Sequence, residues 1–138
     1  MNIADKELIK QALEARKKSY SPYSDFQVGV ALLTKNGKVY TGCNIENAAF
    51  SPTNCAERTA IFKAVSEGES DFEKIAIIGG KKGEEPEYCS PCGVCRQVMR
   101  EFVSEASFKV ILAKSEKEYV EYTLAELFPM GFGPDNLK

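Results

Sequence analysis

The most informative absence in this 138-residue sequence is histidine, of which there is none. Without an imidazole, the chain cannot form a Ser-His or Cys-His nucleophile pair, a Cys2His2 zinc finger or a His-Glu-x-x-His metal site. Any chemistry here must therefore use cysteines, carboxylates, lysines or arginines.

Long apolar runs and an excess of basic residues are also missing. No apolar run approaches the roughly 20 residues of a membrane helix, and the first six residues are too polar for a signal peptide. The net charge is -2, so the sequence lacks the positive charge that polymeric nucleic acid or an anionic membrane attracts. We expect a cytoplasmic protein whose partners do not include nucleic acid or a membrane.

The length and composition are those of a single globular domain. The sequence is 43% hydrophobic and 28% charged, which is close to the average for folded proteins. A chain of 138 residues has room for one hydrophobic core. We therefore treat residues 1–138 as one domain.

Hydrophobic periodicity predicts an α/β fold. A helix is expected over residues 2–18 with Asn2 as its cap, followed by a β-hairpin that turns at Asn36-Gly37. A second helix is expected from Cys55 to Gly68, and a third is expected to open at Ser90-Pro91, with Ser90 as its cap. The predicted strands are residues 28–33, 39–43, 75–78, 108–113 and a weaker edge strand at 119–122, with a short helix capped by Thr123 after them. This order favours a three-layer α/β/α arrangement, a mixed sheet of about five strands with helices on both faces.

Three of the five cysteines are predicted to lie at helix N-termini. Cys55 begins the second helix, while Cys92 and Cys95 are three residues apart at the start of the third. The positive potential of a helix N-terminus lowers the pKa of a thiol, and a thiolate is the form that binds a metal. Three protein ligands leave one tetrahedral position open, as in catalytic zinc sites. The pattern therefore predicts one Zn²⁺ per chain.

Two charged residues follow the first of these cysteines. Glu57 is close enough in sequence to reach a water on the metal without binding the metal itself. Three thiolates and Zn²⁺ sum to -1, and Arg58 is the nearest cation that could offset this charge.

The same residues allow other interpretations. Asn54 and Glu57 also fit a capping box, and Cys92-Gly93-Val94-Cys95 also fits a thioredoxin-like redox pair. Cys89 could complete a structural site of four thiolates. An iron–sulfur cluster is disfavoured because Met99 stands where a fourth cysteine would fall, and Cys43 is expected to be core filler.

The motifs Cys55-Ala56-Glu57-Arg58 and Pro91-Cys92-Gly93-Val94-Cys95-Arg96-Gln97 resemble those of the small, three-cysteine class of cytidine deaminases. Matches at Ser21-Pro22-Tyr23-Ser24, 28–31 and 44–48 extend the resemblance over nearly the whole chain. It implies a cytidine-deaminase-like fold, with zinc on Cys55, Cys92 and Cys95 and with Glu57 as the proton shuttle. It also implies a set of substrate contacts: Asn44 and Glu46 with the ribose hydroxyls, Phe26 beside the pyrimidine, and the backbone of Ala56 at the base edge.

The implied reaction is the hydrolysis of cytidine and deoxycytidine to uridine and deoxyuridine with release of ammonia, a step of pyrimidine salvage. Zinc would lower the pKa of its water towards about 7, and Glu57 would take the proton as the water attacks C4. The alternatives are a modified or antibiotic cytosine nucleoside as substrate, or a structural zinc module without activity.

The resemblance also implies a homotetramer. Phe132 lies on an irregular Gly- and Pro-rich segment near the C-terminus, and in the family the matching aromatic covers the base in a neighbouring subunit's site. The sequence departs from the family pattern at Phe50, where many relatives have Tyr, and at Phe128, where Leu is usual.

Overall fold

The computed structural model describes residues 3–138. The capping role predicted for Asn2 lies outside this range, and within it the first helix begins after Ala4. None of the helices in the described range is long and apolar enough to cross a membrane.

A five-stranded mixed sheet forms the middle layer, as predicted. The strand order across it is β2-β1-β3-β4-β5, with β3 and β4 parallel and the other neighbours antiparallel. The strands are β1 (Phe26–Thr34), β2 (Val39–Cys43), β3 (Phe72–Lys81), β4 (Lys109–Ala113) and β5 (Tyr119–Thr123). The weakest strand in the sequence, β5, lies at an edge of the sheet, where two of its five residues are exposed.

Helices cover both faces of the sheet. They are α1 (Asp5–Arg16), α2 (Ala56–Ser66), α3 (Gly93–Phe102) and α4 (Leu124–Leu127), with a short 3₁₀ turn at Pro134–Asn136. On one face, α1 buries Leu8, Ile9 and Ala12 against alternate residues of the strands. On the other face, α2, α3 and α4 pack over the second core cluster. Alternation of inward-facing residues on β1 and β3 separates the two clusters, which confirms the predicted three layers.

The turn between β1 and β2 differs in detail from the prediction. The N–H of Gly37 donates to the carbonyl of Thr34 at 3.1 Å, and Gly37 has a φ of 90°. This is a turn with a single left-handed residue, whereas the Asn-Gly pair predicts two. The side chain of Thr34 stabilises this turn, because its hydroxyl accepts a hydrogen bond from the N–H of Lys38 at 2.9 Å.

The first helix ends at Arg16, two residues earlier than predicted, and the side chain of Arg16 contacts the sheet. Its guanidinium donates to the carbonyls of Gln27 and Gly80, each at 2.9 Å. The helix lies so close to β1 that a Cβ atom at Gly29 would stand 2.1 Å from the carbonyl oxygen of Ala12. Glycine is therefore required at this crossing.

Candidate metal centre and active site

The N-termini of α2 and α3 meet on one face of the sheet and bring three cysteines together. Cys55 is the N-cap residue of α2, Cys92 is the N-cap residue of α3, and Cys95 lies in the first turn of α3. Their three sulfur atoms lie within 4.8 Å of one another, and the Sγ atoms of Cys55 and Cys92 are 3.6 Å apart. The convergence predicted from the sequence is confirmed.

The predicted cap of the third helix is wrong. The helix begins at Gly93, and the Sγ atom of Cys92 accepts a hydrogen bond from the backbone N–H of Cys95 at 3.4 Å. A sulfur therefore takes the capping role that the sequence suggested for Ser90. The hydroxyl of Ser90 instead accepts from Nη2 of Arg96 at 2.9 Å.

Cys55 and Cys95 differ in their affinity for protons. The pKa of Cys55 is lowered to about 5, chiefly because the Cys95 thiol donates to its sulfur and also because Arg58 does so, although burial acts in the opposite direction. The pKa of Cys95 is raised, because its thiol is the donor in that bond and because it is buried. Without metal, the site therefore favours the thiolate at Cys55 and the protonated thiol at Cys95.

The site fits a zinc ion with three protein ligands. Zn–S bonds of about 2.3 Å in a tetrahedron place two sulfurs about 3.8 Å apart, close to the 3.6 Å between Cys55 and Cys92. Within residues 3–138, the group of closely spaced ligand atoms does not include Cys89. Cys89 packs against the backbone at Gly79, and burial raises the pKa of its thiol to about 11. The arrangement is therefore the open site and not the closed four-thiolate alternative.

Glu57 is buried in the first turn of α2, with only 4% of its surface exposed. Its pKa is raised to about 7, mainly by burial, with a further contribution from the Cys55 thiolate. The capping-box interpretation is wrong, because the backbone N–H of Asn54 donates to the carbonyl of Ile45 at 2.8 Å. The side chain of Asn54 donates to the hydroxyl of Thr59 instead. Glu57 is thus a carboxyl group that exchanges a proton near neutral pH beside the sulfurs.

Arg58, the next residue of α2, contacts the sulfur of Cys55. Its Nη2 atom donates to Sγ of Cys55 at 3.4 Å. Its Nε atom is buried and has no hydrogen-bond partner among the described residues. The guanidinium is therefore positioned to offset thiolate charge.

Asn44 and Phe26 adjoin each other at the ends of β2 and β1. Nδ2 of Asn44 donates to the carbonyl of Phe26 at 2.7 Å, and its Oδ1 accepts from the N–H of Val28 at 3.0 Å. These bonds leave one N–H of the side-chain amide for a ligand.

The carboxylate of Glu46 holds the turn that leads into β1. Its Oε1 atom accepts from the backbone N–H groups of Tyr23 and Ser24 at 2.9 and 3.1 Å, and its Oε2 atom accepts from the hydroxyl of Ser24. The Ser24 hydroxyl accordingly lowers the pKa of Glu46. A groove of about 330 Å³ opens beside this carboxylate and is lined by Tyr23, Ser24, Glu46, Asn47, Phe50 and Thr53.

Ala56 and Phe132 differ sharply in exposure. Ala56 is fully buried, and a Cβ atom at Gly42 of β2 would stand 2.6 Å from its carbonyl oxygen. Phe132 is 54% exposed, although its own carbonyl accepts from Nε2 of Gln97 at 2.8 Å. The backbone of the Phe132 segment is therefore fixed to the domain while its ring faces outward.

A second groove, of about 720 Å³, lies between α1, β2 and α2, and Cys55, Cys92 and Cys95 do not line it. Cys43 lines it and is half-buried, with a pKa raised by burial. Its place at a groove wall differs from the core position expected from the sequence.

Sequence reasoning gave no role to Arg96 or Gln97, although both stand within the cysteine motif. The structure shows that both side chains bind the backbone near the C-terminus. No local sequence signal points to these contacts, because each joins residues more than 30 positions apart.

A three-thiol site at two helix N-termini, with a buried carboxyl group beside it, defines a protein of the catalytic zinc class. Comparison with known proteins agrees. Residues 2–111 match the family model described as the cytidine and deoxycytidylate deaminase zinc-binding region. The chain belongs to this deaminase family, and Cys55, Cys92 and Cys95 are positioned to hold its zinc ion.

Individual relatives match along most of their length. The cytidine deaminase of Sporosarcina psychrophila is 47% identical over 130 residues, which cover 94% of this chain and 92% of the relative. That of Halalkalibacterium halodurans is 49% identical, with coverages of 94% and 95%. The crystal structure of cytidine deaminase from Burkholderia pseudomallei superposes with a TM-score of 0.85 at 41% identity, covering 94% of this chain and all of the other.

Proposed function

We propose that this protein is a zinc-dependent hydrolase that converts cytidine and deoxycytidine to uridine and deoxyuridine with release of ammonia. One observation carries the proposal: a buried carboxyl group, Glu57, lies two residues after Cys55 in a site where three sulfurs lie within 4.8 Å of one another. Relatives at 47% and 49% identity are named cytidine deaminases, which supports cytidine as the substrate.

The ligand set is Cys55, Cys92 and Cys95, with the fourth position open. When bound there, zinc supplies a Lewis acid that makes water nucleophilic near neutral pH. Arg58 stabilises the site by donating to Cys55 and offsetting thiolate charge.

Glu57 moves the protons of the reaction. Its carboxylate accepts a proton from the attacking water as oxygen bonds to C4 of the pyrimidine, and it delivers that proton to N3. It then carries the second proton of the water to the amino group, which leaves as ammonia when the C4–N bond breaks. A pKa near 7 suits both directions of transfer, because the group then gains and loses a proton at similar cost.

Substrate binding is assigned to the residues at the ends of β1 and β2. The free N–H of the Asn44 amide and the carboxylate oxygens of Glu46 can bond to sugar hydroxyls, which free cytosine lacks. Phe26 flanks the pyrimidine, and the buried backbone at Ala56, next to a zinc ligand, meets the edge of the base. These contacts favour a nucleoside over the free base.

The working form is a homotetramer, in which Phe132 of one subunit covers the base bound by a neighbour. The support is that its ring is 54% exposed while its backbone is fixed by Gln97. An exposed aromatic on a fixed segment is well suited to bury itself against a second subunit. The five free cysteines suit a reducing compartment, so we place the enzyme in the cytoplasm and in pyrimidine salvage.

A substrate panel tests the proposal. Purified protein with about one zinc per chain is incubated with cytidine, deoxycytidine, cytosine and deoxycytidylate, and products are separated by chromatography. We expect both nucleosides to be deaminated and cytosine to be untouched. A zinc-loaded, folded protein that deaminates neither nucleoside would contradict the assignment, and turnover of deoxycytidylate alone would move the substrate to the nucleotide.

A further inference from the structure

Helix α3 joins the zinc site to the end of the chain. Its first turn carries Cys95, and three polar side chains that follow contact residues from the end of α4 onwards. Arg96 reaches Leu127, Gln97 reaches Phe132, and Arg100 reaches Asp135.

Among these, Arg96 has a second set of contacts at the zinc site. Its Nε atom donates to the carbonyl of Pro91 at 2.9 Å, and its Nη2 atom donates to the hydroxyl of Ser90 at the same distance. Pro91 immediately precedes the ligand Cys92. The Pro91 carbonyl belongs to the peptide that leads into Cys92, so this hydrogen bond fixes the orientation of the chain at the ligand.

The third contact of Arg96 is to a different element. Its Nη1 atom donates to the carbonyl of Leu127, the last residue of α4, at 2.8 Å. A planar guanidinium with donors in fixed directions can hold three acceptors at once, whereas a lysine ammonium on a flexible stem cannot reproduce that geometry. The backbone at the ligand and the end of α4 are therefore held by one rigid group.

We propose that Arg96 is a positioning residue for the zinc site. It binds neither the metal nor the substrate, and it acts by holding the Ser90-Pro91 backbone so that Cys92 points at the other two sulfurs. Partners that orient metal ligands typically change metal affinity by about 10- to 100-fold when they are removed. The inference rests on zinc binding by the three thiols and is independent of which nucleoside is the substrate.

The chain offers two matched controls. Arg100 lies one turn further along α3, has a side chain that is 11% exposed, and pairs with Glu105 at 3.2 Å and Asp135 at 3.7 Å without contacting the Ser90-Pro91 backbone. Gln97 contacts the Phe132 carbonyl and stands between the two arginines. Replacing either one disturbs the contact between α3 and the C-terminal residues while leaving the bonds of Arg96 in place.

The experiment measures zinc release without substrate. Zinc-loaded wild type, Arg96→Gln, Arg96→Lys, Arg100→Gln and Gln97→Ala are mixed with an excess of a chromophoric chelator, and thermal unfolding of each loaded protein is recorded in parallel. We expect Arg96→Gln to release zinc at least about tenfold faster than wild type, with Arg96→Lys in between. Arg100→Gln and Gln97→Ala are expected to release zinc at the wild-type rate even if they unfold at a lower temperature.

Two results would overturn the proposal. One is release from Arg96→Gln at the wild-type rate. The other is an equal acceleration in Arg100→Gln, which would assign the effect to general loosening of α3. If Arg96→Gln fails to fold, Arg96→Lys decides the question, and release from it at the wild-type rate overturns the proposal. The proposed function fails separately, through the substrate panel.

Discussion

Arg58 donates a hydrogen bond from its Nη2 atom to the Sγ atom of Cys55, across 3.4 Å. Hydrogen bonding at this sulfur lowers the pKa of Cys55, whereas the pKa of Cys95 is raised, so without metal the site favours a proton on Cys95. Zinc must displace that proton before it can use Cys95 as a ligand.

Zinc binding is therefore expected to release at least about one proton per chain at neutral pH. The pKa of Cys95 is raised, so the protonated form persists as the pH increases, and zinc affinity should continue to rise with pH above neutrality. Zinc titration of the metal-free protein in a weakly buffered solution with a pH indicator checks the release. A zinc affinity independent of pH between about 6 and 8 would show that the thiol does not compete with the metal.

Replacing Cys89 tests the number of zinc ligands. Cys89→Ser should retain about one zinc per chain, because Cys89 stands outside the three-sulfur group. Cys92→Ser is the matched control and should lose most of the metal. Elemental analysis of both purified proteins decides the matter, and a zinc-free Cys89→Ser would favour the closed four-thiolate site.

The contact between α1 and β1 gives a prediction about stability. Gly29→Ala would place a Cβ atom 2.1 Å from the carbonyl oxygen of Ala12, so helix and strand must separate. We expect the free energy of unfolding to fall by about 3 kcal/mol. Gly93→Ala is the control, since a Cβ atom there meets nothing within 4 Å. Chemical denaturation measures the free energy of unfolding of the two variants. Equal stability would contradict the close contact between α1 and β1 at Gly29.

Most of the fold could be predicted because hydrophobic periodicity and turn residues agree along the chain. Strand lengths could not, since β3 extends beyond its apolar run at 75–78 to pair with β1 along Phe26–Thr34. That extension depends on a partner strand that is distant in sequence. The capping box at Thr123 and Glu126 was predictable, because both of its hydrogen bonds are local.

The zinc ligands were predictable for a similar reason, because neighbouring residues in the sequence indicate that they lie at the starts of helices. The contacts of Arg96 with Leu127, and of Gln97 with Phe132, were not predictable, because each joins residues more than 30 positions apart. The start of α3 was misplaced because capping rules favour a serine, whereas the sulfur of Cys92 occupies the position.

Replacement of Phe132 tests the proposed homotetramer. Phe132→Ala should raise KM while leaving zinc content unchanged, because only stacking on the base is lost. Truncation after Leu127 should also weaken the tetramer. Mass in solution and turnover are measured on the same samples. A wild-type protein that is fully active as a monomer at assay concentration would show that the site needs no second subunit.

The most direct test of the central claim is the turnover of cytidine by Glu57→Gln, followed as the loss of cytidine ultraviolet absorbance. Glutamine keeps the size of the side chain but cannot take a proton from water. With zinc content equal to that of wild type, turnover should fall by at least about 10². A zinc-loaded Glu57→Gln protein that deaminates cytidine at the wild-type rate would contradict the assignment of proton transfer to Glu57.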